Sequence, residues 1–259
     1  VATKRFQVLS EGLRLNAVVD MPDAGNTWPL VILNHAAARP KDGAFFDSLV
    51  PMLLERGIAV CRYDPRGYGQ SEGAAASMSF WTRWLDLTAV TLYTADELEF
   101  TFTKLGLAGQ GLGAVLGLWW AAVHPITAVA GFGLPPAKKL GSLPRAVQNL
   151  LPHDLEENAV IPHPAGIANG VLFFGEKDKA AESAQTVGER LGLQIEIIAG
   201  ADKNFTQVKP RNDAFAKTAD WFGRFLLAQS PSHQLEEEFG AMEAPPNEGE
   251  SLTKEPAQE

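Results

Sequence analysis

Short apolar runs alternate with segments whose apolar residues recur at helical spacing, and this alternation constrains the fold of the chain more than any other feature. "KRFQVLSEGLRLNAVVDMP" (residues 4–22) reads as two strands around a Ser-Glu-Gly turn. "WPLVILNHA" and "IAVCRYD" are strands on either side of "DGAFFDSLVPMLLERG", a helix that stops at Gly57. "FWTRWLDLTAVTLYTADEL" is a helix, "KLGLAG" a strand, and Leu112 to Ala122 a helix again. "ITAVAGFGLP", "GVLFFGEKD" and "LQIEIIAGAD" follow as strands, and "AESAQTVGERLG" and "RNDAFAKTADWFGRFLLA" as helices. Strands that alternate with helices predict an α/β fold with a mostly parallel sheet of eight strands and helices on both faces. Residues 136–168 show no clean period and read as a small irregular cap-like insertion.

The 259 residues are 46% hydrophobic, enough for one large core. The net charge of −9 is unevenly spread. Residues 230–259 hold eight Glu against Lys254 alone, which leaves the body near neutrality and without the basic footprint of a nucleic-acid binder. We read residues 1–229 as the folded domain and residues 230–259 as an acidic disordered tail, too poor in apolar groups to offset its ordering entropy. Leu235, Phe239 and Met242 could share one helical face there, a docking element for a protein partner. Cys61 is the one cysteine, so neither an internal disulfide nor a cysteine zinc cluster is expected, and its apolar surroundings predict an inert thiol. No apolar run is long enough to span a membrane, and no signal-peptide pattern is visible. The cytoplasm is the expected compartment, although the first residue, Val1, leaves room for processing. No cofactor or metal is expected.

The stretch "AGQGLGA" (residues 108–114) sits between a strand and a helix. Two chemistries use such a turn. As a dinucleotide loop it satisfies G-x-G-x-x-A, but a ribose-binding carboxylate should stand about 20 residues on. From Gly111 through His153 there is no Asp or Glu, which argues against that reading. As a nucleophile elbow, Gly-x-Ser-x-Gly, it lacks the serine.

The second reading draws support from other segments. "LNHAAARPKDG" (33–43), "RYDPRGYGQSEG" (62–73), "GQGLG", "GEKD" and "GADKNF" resemble, in order and spacing, the motif series of the α/β-hydrolase superfamily. The likeness is to its serine peptidase and dienelactone-hydrolase-like branches, and it spans residues 4 to 228. The resemblance implies an α/β-hydrolase fold and assigns roles residue by residue. The nucleophile position falls on Gly111, the acid on Asp178, and the histidine on Lys203. The oxyanion donors would be the backbone N–H of Leu112 and that of Ala36. His35 and Gln110 would line the pocket.

Acyl transfer needs a nucleophile, and glycine has no side chain. The base must accept a proton near neutral pH, which imidazole does and a charged ammonium does not. What is left is main-chain: two amides that survive the loss of the side chains around them. Lys203 beside Asp178 suggests a structural charge pair in place of the His–Asp hydrogen bond. Ser71, Ser77 and Ser79 are poor substitute nucleophiles. His124, His153, His163 and His233 form no ligand cluster, and Trp119 and Trp120 read as core. The expected function is that of a catalytically degenerate member of the fold, a pseudohydrolase acting as a binding or assembly subunit. The alternatives are a hydrolase or lyase of unconventional mechanism on a small acyl or ester substrate, and a small-molecule-binding protein that uses the vacated pocket.

Overall fold

The computed structural model describes residues 1–23, 25, 27–36, 41, 45–97, 104–124, 126–134, 167 and 169–228. The expected tail, with Leu235, Phe239 and Met242, lies outside these residues. So does the expected cap at 136–168, except for Ile167.

Eight strands form one sheet: β1 (Ala2–Ser10), β2 (Leu13–Met21), β3 (Leu30–Asn34), β4 (Ala59–Tyr63), β5 (Leu105–Gln110), β6 (Ala128–Phe132), β7 (Gly170–Gly175) and β8 (Gln194–Ile198). Their order is β1-β2-β4-β3-β5-β6-β7-β8. β1 and β2 pair antiparallel through the two-residue turn Glu11–Gly12, and β2 pairs antiparallel with β4. Every other pairing is parallel. The described helices are α1 (Leu49–Leu54), α2 (Phe80–Glu97), α3 (Leu112–Val123), α4 (Ala181–Leu191) and α5 (Val208–Leu226).

The central strands are apolar on both sides because both faces are covered. Leu30 and Ile32 of β3 enter one core with Leu87, Val115 and Ala184 from α2, α3 and α4. Val31 and Leu33 enter the other, with Leu49 of α1 and Phe215 and Phe222 of α5. That second core is unusually aromatic. Phe132 stacks on Phe173 at 4.9 Å and meets Phe45, Phe205 and Phe215 edge-on. Each fully buried phenylalanine contributes about 1.5–3 kcal/mol.

Two expected elements are shorter than their patterns. α1 begins at Leu49 rather than near residue 42. Proline is tolerated only in a helix's first turn, and Pro51 therefore forbids an earlier start. β8 ends at Ile198, where the chain turns through Gly200. None of the described helices is long and apolar enough to cross a membrane.

Candidate functional site

The site stands at the C-terminal edge of the parallel strands, where open α/β sheets place their ligands. β5 ends at Gln110, and Gly111 turns the chain into α3 with φ 55° and ψ −117°. Most side chains are strained in this geometry, and glycine is not. The turn is pinned by Gly111 N–H donating to Phe132 O at 2.8 Å. It is also tight. A β-carbon on Gly113 would collide with Asn34 O and stand 2.6 Å from His35 O, so α3 lies hard against the end of β3. At Gly111 the opposite holds. Among the described residues a β-carbon would meet only Ala36 Cβ, at 3.8 Å. The elbow is built, and among the described residues the space for its side chain is open.

Ala36 and Leu112 therefore flank that space. Neither backbone N–H has an acceptor among the described residues, and the first amides of a helix have no intrahelical partner. Gln110 donates from Nε2 to Asn204 O at 3.3 Å, which ties the elbow to the loop carrying Lys203. Lys177 N–H donates to Ala201 O at 2.9 Å and ties that loop to the one carrying Asp178. Asp202 stiffens the Lys203 loop by accepting the N–H groups of Asn204 and Thr206, each at 3.0 Å. Burial disfavours the charge of Asp202, but the hydrogen bonds from Thr206, Asn204 and Gln207 win and lower its pKa.

Asp178 is buried, at 7% exposure. Its Oδ1 accepts Ala180 N–H at 3.0 Å, and its Oδ2 has no hydrogen-bond partner among the described residues. The expected charge pair with Lys203 is not made: no ion pair joins them. Lys203 is only half-buried, and its Cγ lies 4.0 Å from where a β-carbon on Gly133 would stand. Taking an ammonium out of water to meet a buried carboxylate costs more than the attraction returns unless further hydrogen bonds complete the pair, and a lysine stem readily keeps its charge outside.

His35 is buried, with its ring edge-on to Phe46 at 5.2 Å. Ser71 bridges the Asp64 carbonyl and the Asn16 N–H, a structural role. Trp120 is buried, donates from Nε1 to Thr88 Oγ1 at 3.1 Å and stacks on His124 at 3.8 Å. Burial pushes the Cys61 thiol up to about 12, so it is no nucleophile at neutral pH. Among the described residues no three His, Cys, Asp or Glu side chains gather as a metal site.

One residue of the site was not singled out from the sequence. Arg83 of α2 is 1% exposed. Its Nη2 donates to His35 O at 2.6 Å, while Nε and Nη1 have no partner among the described residues. Burial lowers its pKa, opposed by the charges of Tyr63, Asp86 and Tyr68. A signal was available. Phe80, Arg83, Leu87 and Val90 fall on one stripe of α2, and a cation on an apolar stripe calls for an explanation.

The strand-4 loop supplies the rest of the frame. Asp64 accepts Lys41 N–H at 2.5 Å, Lys41 Nζ at 2.9 Å and Gln70 N–H at 3.0 Å, with both charges buried. Arg66 binds Asp86 through Nε at 2.9 Å and Nη2 at 2.7 Å, and Ser10 donates to the same carboxylate at 2.9 Å.

The serine aminopeptidase family S33 matches residues 30–152, a stretch that includes β3, the strand-4 loop and the elbow. Solved structures match over most of the chain. Est1E of Butyrivibrio proteoclasticus, with ferulic acid bound, is 20% identical with a TM-score of 0.71, over 86% of this chain and 100% of that one. An esterase of Pyrococcus furiosus is 17% identical with a TM-score of 0.70, over 87% and 92%. A dienelactone hydrolase of Anabaena variabilis is 16% identical with a TM-score of 0.68, over 87% and 98%. No curated protein matches at the sequence level. The chain has the α/β-hydrolase fold.

Proposed function

We propose that this protein is a catalytically degenerate α/β-hydrolase, a pseudohydrolase that works by binding rather than by cutting. One observation carries the reading: the elbow keeps its backbone geometry and its open space, while the residue at its apex, Gly111, has no atom that can attack. Lys203 in the histidine position supports it, because an ammonium is no general base near neutral pH. The vacated space, flanked by two amides without an acceptor among the described residues, favours a small-molecule ligand. The tail remains the proposed element for a protein partner.

The experiment is a pair of assays. The unaltered chain should hydrolyse p-nitrophenyl acetate no faster than the buffer does. The double variant Gly111→Ser with Lys203→His should acquire esterase activity that is lost again on Asp178→Asn. Rapid turnover by the unaltered chain would refute the reading.

A second reading is an acyl hydrolase of unconventional mechanism. It is favoured by the esterases among the structural neighbours and by an Asp178 carboxylate oxygen left without a partner. Turnover by the unaltered chain that disappears on Lys203→Ala would select it.

A further inference from the structure

Eight large apolar side chains are exposed among the described residues, and three of them, Trp81, Leu85 and Leu92, lie on α2. Trp81 is 54% exposed, Leu85 39% and Leu92 59%. The other five are scattered over the N-terminus, β1, β8 and the two ends of α5. Single exposed apolar residues are ordinary, whereas several on one stripe mark a contact surface. The opposite side of the same helix is already spent: Arg83, Leu87, Val90 and Thr94 are buried.

The spacing of the outward stripe says what kind of partner fits. Trp81, Leu85, Thr88, Leu92 and Ala95 recur at alternating steps of four and three, the seam by which one helix packs alongside another. None is charged. Thr88 is no polar interruption, because its hydroxyl already donates to Trp84 O at 2.9 Å and accepts Trp120 Nε1 at 3.1 Å. No other described helix carries more than one exposed large apolar side chain, so within the described chain only a second α2 offers a matching seam.

Charge sets the direction. α2 has no acidic residue in its first turn and no basic residue in its last, and exposed Asp96 stands in that last turn. Neither end complements the helix dipole, which favours acids at the N-terminus and cations at the C-terminus. A second α2 lying antiparallel corrects both ends at once, since each Asp96 then comes beside the positive first turn of the other helix. A two-fold axis beside Thr88 and Ala89 gives this match. It sets Leu85 against the partner's Leu92 and Trp81 beside the partner's Asp96. The small residues Thr88 and Ala89 stand at the axis, where the helices must approach most closely.

We infer that α2 is a homodimer interface, in which two copies of this chain pack antiparallel through Trp81, Leu85, Thr88, Leu92 and Ala95. The interface is isologous, so every residue in it acts twice. It uses no residue of the elbow and is independent of what the space beside Gly111 binds.

Sedimentation equilibrium of the full chain tests it. The unaltered protein should be a dimer at micromolar concentration. Leu85→Glu or Leu92→Lys alone should weaken the dimer at least about tenfold, because each buries an unpaired charge twice over. Both positions are exposed, and thermal unfolding should stay as cooperative as in the unaltered chain. The double variant Leu85→Glu with Leu92→Lys should restore the dimer, since antiparallel packing sets each new glutamate against a new lysine of the other copy. High salt should weaken that restored dimer again. A monomer at every concentration would overturn the inference and leave the stripe to a helix of another protein. A dimer that both single variants leave intact would overturn it as well. Single variants that dissociate the dimer with no rescue by the double variant would overturn the antiparallel arrangement, because a parallel pair sets like charges together.

Discussion

The strand-4 loop and the elbow edge come from the same motif series, yet the structure treats them in opposite ways. In the strand-4 loop every charge has a partner. Asp64 is held by Lys41 and Gln70, and Asp86 by Arg66 and Ser10. At the elbow edge several polar groups have no partner among the described residues: the Ala36 and Leu112 amides, two nitrogens of Arg83 and one oxygen of Asp178. The difference follows from what each region loses by mutation. Removing one partner of a buried pair strands a charge in low dielectric, so the strand-4 loop is held together by its own energetics. The open atoms at the elbow edge strand no partner among the described residues when their side chains change.

The sharpest way to break this contrast is to cut one pair in the saturated region. Asp86→Ala should destabilise the protein by about 3–5 kcal/mol, because it strips the buried Arg66 of its two-pronged partner and leaves it only the exposed Glu11. Urea unfolding measures this, and a loss under 1 kcal/mol would make the two regions equivalent. Gly111→Ser should cost less, about 1–3 kcal/mol. The space is open, and only the backbone conformation at φ 55° resists a side chain. A loss above that range would mean the elbow has been repacked around glycine. The smallest effect belongs to Asp178→Asn. The amide oxygen can keep the bond from Ala180, and no ion pair is broken, so stability should stay within about 0.5 kcal/mol or rise. A large loss would reveal a partner for Asp178 in solution and bring the elbow edge into line with the strand-4 loop.

Much of the frame was legible in one dimension. The two-sided apolar runs of β3, β6 and β7 marked buried parallel strands, because a strand covered on both faces has no polar side to show. "YDPRGYGQSEG" and "GQGLG" placed the turns, since each needs a particular small or charged residue at a fixed offset. Lys203 was misread as the partner of Asp178. Position in a motif says which loop a side chain leaves from, and hydration decides where its charge ends up. Arg83 went unnoticed within a helix read only for its apolar period.

What the chain determined by itself is local and periodic: the order of strands and helices, the elbow at Gly111, and the absence there of a hydroxyl and, at residue 203, of an imidazole. These follow from residue identity and spacing alone. Only the tertiary structure decided that Arg83 of α2 reaches the carbonyl behind Ala36. Only there, too, is it decided that Asp178 and Lys203 form no ion pair with each other and that the Ala36 and Leu112 amides have no acceptor among the described residues. Those contacts join residues far apart in the chain, and their worth depends on burial, which exists only once the sheet and its helices have closed over them.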